Sequence, residues 1–205
     1  MVTIWGRKNS TNVKKVRWCA AELALPYKQI QVGGQFGRNH DADYLAMNPN
    51  GLIPCLQDGD LVLWESNTIV RYLAAQYGEG SLYITDAGAR ANAEKWMDWS
   101  MTLASAFIPV FINIVRTAPE KRDQASIDKG MAECERLLAI VDAALAKQQW
   151  LSGDEFGIGD IPLGCILYGW LMMDIQRQAH PNLQRWYQQL TERPAYREQV
   201  MLPLS

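Results

Sequence analysis

Short apolar runs broken by polar turns fill the first third of the chain. Longer stretches with helical spacing fill the rest. Val2-Thr3-Ile4-Trp5 predicts a strand, and Gly6 to Thr11 a loop. Val13, Val16, Ala20 and Leu23 then recur at helical spacing, which predicts a helix from about Thr11 to Leu23 with Ser10 and Thr11 as its polar start. After Pro26, Ile30 and Val32 alternate with Gln29 and Gln31, so Tyr27 to Val32 reads as a second strand. Gly33 to His40 is a polar, glycine-rich loop, followed by a short helical turn around Asp43–Met47. Ile53-Pro54-Cys55-Leu56 and Leu61-Val62-Leu63-Trp64 flank Asp58-Gly59-Asp60, a pattern that predicts a β-hairpin. From Ser66, the residues Ile69, Val70, Leu73, Ala74 and Tyr77 share one helical face. Strand, helix, strand, hairpin and helix, in that order, give a small mixed sheet covered by helices.

Gly78-Glu79-Gly80-Ser81 reads as a linker, and beyond it the strand signal ends. Residues 88–117 carry a long helical pattern. Ile127, Met131, Cys134, Leu138, Val141 and Leu145 form a stripe at steps of four and three that must bury against neighbouring helices. Two shorter helices fit about 158–175 and 181–191. The fold class is therefore α/β plus all-α, with one domain over residues 1–78 and an all-helical domain over 87–205.

Composition removes several function classes. The 205 residues are 48% hydrophobic and 20% charged, which argues against disorder. A net charge of −2 supplies no basic field for nucleic acid or an anionic membrane. MVTIWGRKNS lacks the apolar centre of a signal peptide, and no uninterrupted apolar run reaches the roughly 18 residues of a membrane span. The expected setting is the cytoplasm, without nucleic-acid or membrane partners. Cys19, Cys55, Cys134 and Cys165 are scattered without metal spacing, and His40 and His180 lie far apart, so neither a zinc site nor another metal is expected.

Three stretches could carry chemistry. In Asn48-Pro49-Asn50-Gly51-Leu52-Ile53-Pro54, the second proline is either an ordinary strand opener or a cis residue. If it is cis, the N–H and C=O of Ile53 could pair with an extended peptide ligand. Ser66, after Glu65, either caps its own helix or joins the helix N-terminus in holding a carboxylate. Ser10-Thr11-Asn12 opens the first helix, where hydroxyl and amide donors either cap the helix or stabilise a thiolate.

Taken together, Ser10-x-Asn12-x-Lys14, Asn48-Pro49-x-Gly51-x-Ile53-Pro54 and Leu63-x-Glu65-Ser66-x-x-Ile69-x-x-Tyr72-Leu73 resemble the N-terminal domain of cytosolic glutathione S-transferases. Trp150-Leu151-Ser152-Gly153-Asp154-x-Phe156-x-x-x-Asp160 resembles the start of that family's late helix. The likeness spans essentially the whole chain and is nearest to bacterial members close to the theta and nu classes. It implies a thioredoxin-like, glutathione-binding N-terminal domain joined to a helical bundle, and a homodimer engaged in detoxification. Ser10 and Asn12 would act on the glutathione sulfur, and Pro54 would be cis. The backbone of Ile53 would hold the cysteinyl unit, and Glu65 and Ser66 the γ-glutamyl end. Either Asn39 or His40 would approach the glycine carboxylate. Gly157 stands where the family usually has Ser or Thr, and Asp160 reads as structural.

In the chemistry this resemblance implies, glutathione is the co-substrate and no other cofactor is required. A free thiol has a pKa of about 8.5, and lowering it by about two units requires ~2.7 kcal/mol of preference for the anion. One charge-assisted hydrogen bond contributes about 1.5–3 kcal/mol, so Ser10, Asn12 and a helix N-terminus together suffice. The thiolate then attacks a small electrophile, halogenated compounds among them. Trp5, Phe107, Phe111 and Ile112 are candidates for the electrophile's wall between the domains, or else core residues; Trp170 and Met172 are further ones. Two other activities fit the same pattern: a glutathione-dependent disulfide reductase, and a non-catalytic glutathione-binding or scaffold protein.

Overall fold

A computed structural model describes residues 1–204. The chain forms two compact units, one over Met1–Ile84 joined by Ala195–Leu202, the other over Thr85–Pro194.

The first unit contains β1 (Val2–Trp5), α1 (Thr11–Glu22), β2 (Tyr27–Ile30), α2 (Ala42–Met47), β3 (Cys55–Asp58), β4 (Leu61–Trp64) and α3 (Ser66–Tyr77). The strand order is β2-β1-β3-β4. β1 runs parallel to β2, as a helical crossover through α1 requires, and antiparallel to β3. The β3–β4 hairpin turns at Gly59, where φ is +58°. Alternation along the strands sorts side chains between two faces. Ile4 stands opposite Leu56, and both are fully buried on one face. The other face carries Trp5, Ile30 and Cys55, which cluster with Val32, Tyr44 and Met47. Helices α1 and α3 pack together, and Val13 and Val16 of the one and Ile69, Val70 and Leu73 of the other are all buried. The second strand ends at Ile30, two residues short of the expected Val32.

α8 (Pro194–Gln199) was not foreseen from the pattern. It is short, and Pro194 at its first position suits a helix start as readily as a loop. Its Tyr196 packs edge-on against Trp18 of α1 at 4.7 Å. Gln199 accepts from the Tyr27 hydroxyl at 3.4 Å.

The second unit is helical: α4 (Ala87–Phe111), α5 (Gln124–Leu145), α6 (Asp160–Met172) and α7 (Pro181–Glu192). α4 runs into a π-helical turn over Ile112–Arg116. The carbonyls of that turn are taken up by Thr117 and by Arg122, whose Nη2 reaches Ile114 O at 2.8 Å. Ala87–Arg116 is long enough to cross a membrane, and one 18-residue stretch of it is apolar enough, with mean hydropathy 1.4, by length and composition only. Its apolar content comes from two sides: a buried stripe of Met97, Leu103, Phe107 and Val110, and an outward one of Met101, Ile108 and Ile112.

α6 is apolar on all sides and buried from Asp160 to Trp170, as expected of a helix at the centre of a bundle. Asp160 anchors its start. The buried carboxylate accepts from the N–H groups of Leu151 (2.8 Å), Ser152 (3.3 Å) and Gly157 (3.1 Å), and from Trp186 Nε1 (2.8 Å). Burial pushes its pKa up against the pull of these donors. Asp142 on α5 holds the start of α7 in a similar way, accepting from the backbone of Asn182 and Leu183 at 2.8 and 2.9 Å.

Candidate functional site

The first helical turns of α1 and α3 converge, and their polar residues meet. Ser10 is the N-cap of α1, with φ −69° and ψ 129°, yet its hydroxyl makes no capping hydrogen bond. Ser66 is the first helical residue of α3, so it does not cap that helix either; Glu65 holds the cap position. The Ser66 hydroxyl instead lies 3.4 Å from Oδ1 of Asn12. A second tie runs beside it, from Lys15 Nζ to Asn67 Oδ1 at 3.4 Å. Both helices thus bring the positive end of their dipole, with unspent N–H groups, to one place. Such a place suits a carboxylate or a thiolate.

Glu65 has φ +71°, in the left-handed region that non-glycine residues rarely occupy. Holding it there costs about 1–3 kcal/mol, which the surrounding structure must offset. Nothing in the sequence signals this conformation.

The Asn48–Pro54 loop is fixed from inside. Buried Asn48 donates to Leu52 O at 2.7 Å and accepts from the backbone N–H of Asn50 at 3.1 Å. The Tyr44 hydroxyl donates to the same Leu52 carbonyl at 2.6 Å. The Ile53–Pro54 peptide is cis. Neither the N–H nor the C=O of Ile53 has a hydrogen-bond partner among the described residues. The Ile53 side chain rests on two glycines: a Cβ at Gly33 would lie 3.0 Å from its Cδ1, and one at Gly6 would meet its Cβ at 3.3 Å. Sequence reasoning singled out the loop but not Tyr44 or Asn48 as its supports. A buried tyrosine four residues before an asparagine carries no pattern of its own.

Asn39 and His40 differ in commitment. Asn39 Nδ2 donates to Gly51 O at 2.8 Å, tying the Gly33–His40 loop to the Asn48–Pro54 loop. The His40 ring lies over Gly51, where a Cβ would come within 2.8 Å of it, and the residue is exposed.

The four residues expected to wall an electrophile pocket are placed unequally. Trp5 is half-buried, packs edge-on against Tyr44 at 6.3 Å, and its buried Nε1 has no hydrogen-bond partner. Phe107 is only 4% exposed, with Gly169 of α6 against its ring, so it is a core residue of the helical unit. Phe111 stacks on Phe107 at 5.4 Å and lies under Arg116 at 5.2 Å, half-buried. Ile112 is 41% exposed.

Family models for the N-terminal and C-terminal domains of glutathione S-transferase match residues 1–75 and 99–194. The chain belongs to the glutathione S-transferase family. It is 58% identical to glutathione S-transferase GstB of Escherichia coli over the full length of both chains. Identity to glutathione S-transferase 3 of Zea mays is 30%, covering 96% of this chain and 92% of that one. Among solved structures, the theta class glutathione S-transferase of Xanthomonas axonopodis pv. citri, with glutathione bound, superposes with a TM-score of 0.97 at 51% identity, covering 100% of this chain and 99% of that one. The family fold is a thioredoxin-like domain with a mixed four-stranded sheet followed by a helical domain, and both are present here. Family membership makes this chain a transferase by class.

Proposed function

We propose that this chain binds glutathione at the paired starts of α1 and α3 and activates its thiol for attack on small electrophiles. The observation that carries this reading is the 3.4 Å contact between Ser66 and Asn12, together with a Ser10 hydroxyl that does not cap its own helix. Ser66 and the α3 N-terminus take the γ-glutamyl carboxylate, with Glu65 toward the γ-glutamyl amine. The unpaired backbone groups of Ile53 take the cysteinyl unit as a short strand would. His40, rather than the already tethered Asn39, takes the glycine carboxylate. Ser10 and the amide of Asn12 face the sulfur. Asn12 Oδ1 accepts from Ser66 in this structure; with glutathione bound, the single Ser66 proton turns to the carboxylate and the Asn12 NH₂ donates to the thiolate. Glutathione bound in the Xanthomonas relative supports the same ligand here.

The thiolate then supplies an electron pair to an electrophilic carbon, and the leaving group departs with the bond electrons. Phe111 and Ile112 are the side chains we assign to the electrophile's surroundings. Residues 1–78 form the glutathione-binding domain on this reading, and 87–205 the helical domain. A protein-cysteine redox mechanism has little support: Cys19 and Cys55 are buried, and burial pushes the Cys55 thiol up to about 11. The outward pair Met101 and Ile108, 48% and 50% exposed, suits a second copy of the chain. We therefore assign a homodimer, working in cytoplasmic detoxification. Sedimentation at micromolar concentration should give a dimer, and a monomer would refute that assignment. Conjugation assays over halo-alkanes, halo-acids, nitroaryl halides, epoxides, peroxides and glutathionyl disulfides test the activity. Turnover with none of them, despite glutathione binding, would favour the scaffold reading.

A further inference from the structure

α8 follows the helical unit in the chain yet packs on the first unit. A line of hydrogen bonds runs from it to the loop that carries Ser10. The Tyr27 hydroxyl of β2 donates to Gln199 Oε1 of α8 at 3.4 Å and accepts from Arg17 Nε of α1 at 3.3 Å. Arg17 Nη1 in turn donates to the backbone carbonyl of Lys8 at 3.2 Å. Lys8 stands two residues before Ser10, in the loop between β1 and α1. Arg17 can reach it because helical side chains lean toward the helix N-terminus.

The setting is unusual for a cation. Arg17 is 6% exposed and Gln199 5%. Arginine is almost never fully buried unless paired. Here no carboxylate among the described residues pairs with it; the guanidinium is spent on a hydroxyl and a backbone carbonyl. Nε and Nη1 belong to one planar fork, so the two bonds fix Tyr27 and Lys8 relative to each other. The start of the loop is held by β2: the Gly6 N–H donates to Ile30 O at 2.9 Å, and Gly6 O accepts from Gln29 Nε2 at 2.6 Å. Its end closes on itself, with the Ser10 N–H donating to Arg7 O at 3.2 Å. Lys8 lies inside that turn, and Arg17 ties it to α1. α8 is firmly seated beside this line. Tyr196 and Val200 are fully buried, and Tyr196 packs on Trp18, the residue after Arg17.

We propose that Arg17 is a positioning residue for thiol activation: it fixes the turn at Lys8, and Ser10 with it, and α8 holds Arg17 through Gln199 and Tyr27. The proposal rests on the assignment of Ser10 to the sulfur. The bonds of Arg17 go to Tyr27 and Lys8 and to none of the residues assigned to glutathione. Its action is therefore on placement, where an error of about 1 Å can cost roughly 100-fold in rate.

The test is a pH profile on the full-length protein, with the pKa of bound glutathione read from the ultraviolet absorbance of its thiolate. Arg17→Met should raise that pKa and lower the single-turnover rate about tenfold near neutral pH, while the Kd for glutathione changes less than about twofold. Tyr27→Phe and Gln199→Ala should move pKa and rate the same way by less. The two together should do no more than Tyr27→Phe alone, since both cut the same link. Tyr27→Phe alters no cationic group, so its shift is not the field of a lost cation, and it carries the test if Arg17→Met fails to fold. In a Ser10→Ala background, Arg17→Met should move neither quantity further. An unmoved profile in Tyr27→Phe and in folded Arg17→Met, or an Arg17 effect of full size in the Ser10→Ala background, would overturn the proposal alone. An unmoved profile in Ser10→Ala itself would sink the sulfur assignment and the proposal with it.

Discussion

The Ser66 hydroxyl lies 3.4 Å from Asn12 Oδ1, joining the first turns of two helices whose sequence positions are 54 residues apart. That hydroxyl is aimed across at α1 rather than back at its own helix, so removing it should affect ligand binding more than helix stability. A hydrogen bond to a charged partner is worth about 1.5–3 kcal/mol, equivalent to roughly a 10- to 150-fold change in Kd. Ser66→Ala should weaken glutathione binding within that range, with little change in thermal midpoint. Calorimetric titration checks the first part, and an unchanged Kd would remove Ser66 from the site.

Asp160 gives a test of the helical unit alone. Four donors converge on one buried carboxylate, three of them backbone N–H groups that cannot turn to water. Each buried donor left without an acceptor costs about 1–3 kcal/mol. Asp160→Ala should therefore destabilise the protein by about 3 kcal/mol or more, read as a fall in urea midpoint. Asp160→Asn, which keeps one acceptor oxygen, should fall between the two. A loss below about 1 kcal/mol in the alanine variant would mean that the donors find other partners.

The elements were legible wherever one period dominated. Val13, Val16 and Ala20 marked α1, and the Asp58-Gly59 turn marked the β3–β4 hairpin, because local spacing and turn chemistry agree there. The stripe from Ile127 to Leu145 marked α5 for the same reason. Ser10, Asn12, Ile53 and Ser66 could be named as site candidates because each stands at a turn or helix start. What stayed hidden is set by contacts between distant positions. Whether Ser66 caps or reaches across depends on α1 lying beside it. The positive φ of Glu65 is imposed from outside its own sequence. The His180–Glu135 pair joins residues 45 apart in the chain. A π-helical turn at Ile112–Arg116 has no periodic signature, since its residues continue an apolar helix.

Asp142 carries a pH dependence whose sign can be stated. Burial alone would raise its pKa, but the N–H groups of Leu183 and Asn182, the Asn182 side-chain amide and nearby His180 outweigh that and hold it below the usual aspartate value. A carboxyl whose native pKa is depressed stabilises the fold above its unfolded value, about 3.9, and loses that contribution as pH falls through the native value. Asp142→Asn should therefore be less stable than wild type by about 1–2 kcal/mol at pH 7, the scale of charge-assisted hydrogen bonds. The gap should narrow as pH falls below about 4. Urea unfolding of both proteins between pH 7 and 3 measures it, and a gap that widens toward acid would reverse the assignment.

The activation of sulfur is the most direct test of the α1 start. Bringing a thiol of pKa about 8.5 down by about two units requires ~2.7 kcal/mol of preference for the anion. Ser10 and Asn12 stand two residues apart at the first turn, and Asn12 Oδ1 lies 3.4 Å from the Ser66 hydroxyl. If both donate to one sulfur, neither supplies the whole preference. Ser10→Ala and Asn12→Ala should each raise the apparent pKa of bound glutathione and lower the single-turnover rate near neutral pH. The double variant should raise it further, though by less than the sum, because two donors to one atom are coupled. Ser66→Ala should weaken binding but leave the apparent pKa of bound glutathione close to wild type, since in the complex the Ser66 proton serves the carboxylate and not the sulfur. Above the raised pKa the single-variant rates should recover toward wild type, because the thiolate then forms without help. A loss of rate that persists at high pH would instead mean that the two side chains position glutathione. A pH–rate profile unmoved in Ser10→Ala, Asn12→Ala and the pair would place the stabilising donors elsewhere, in the backbone N–H groups of the α1 N-terminus.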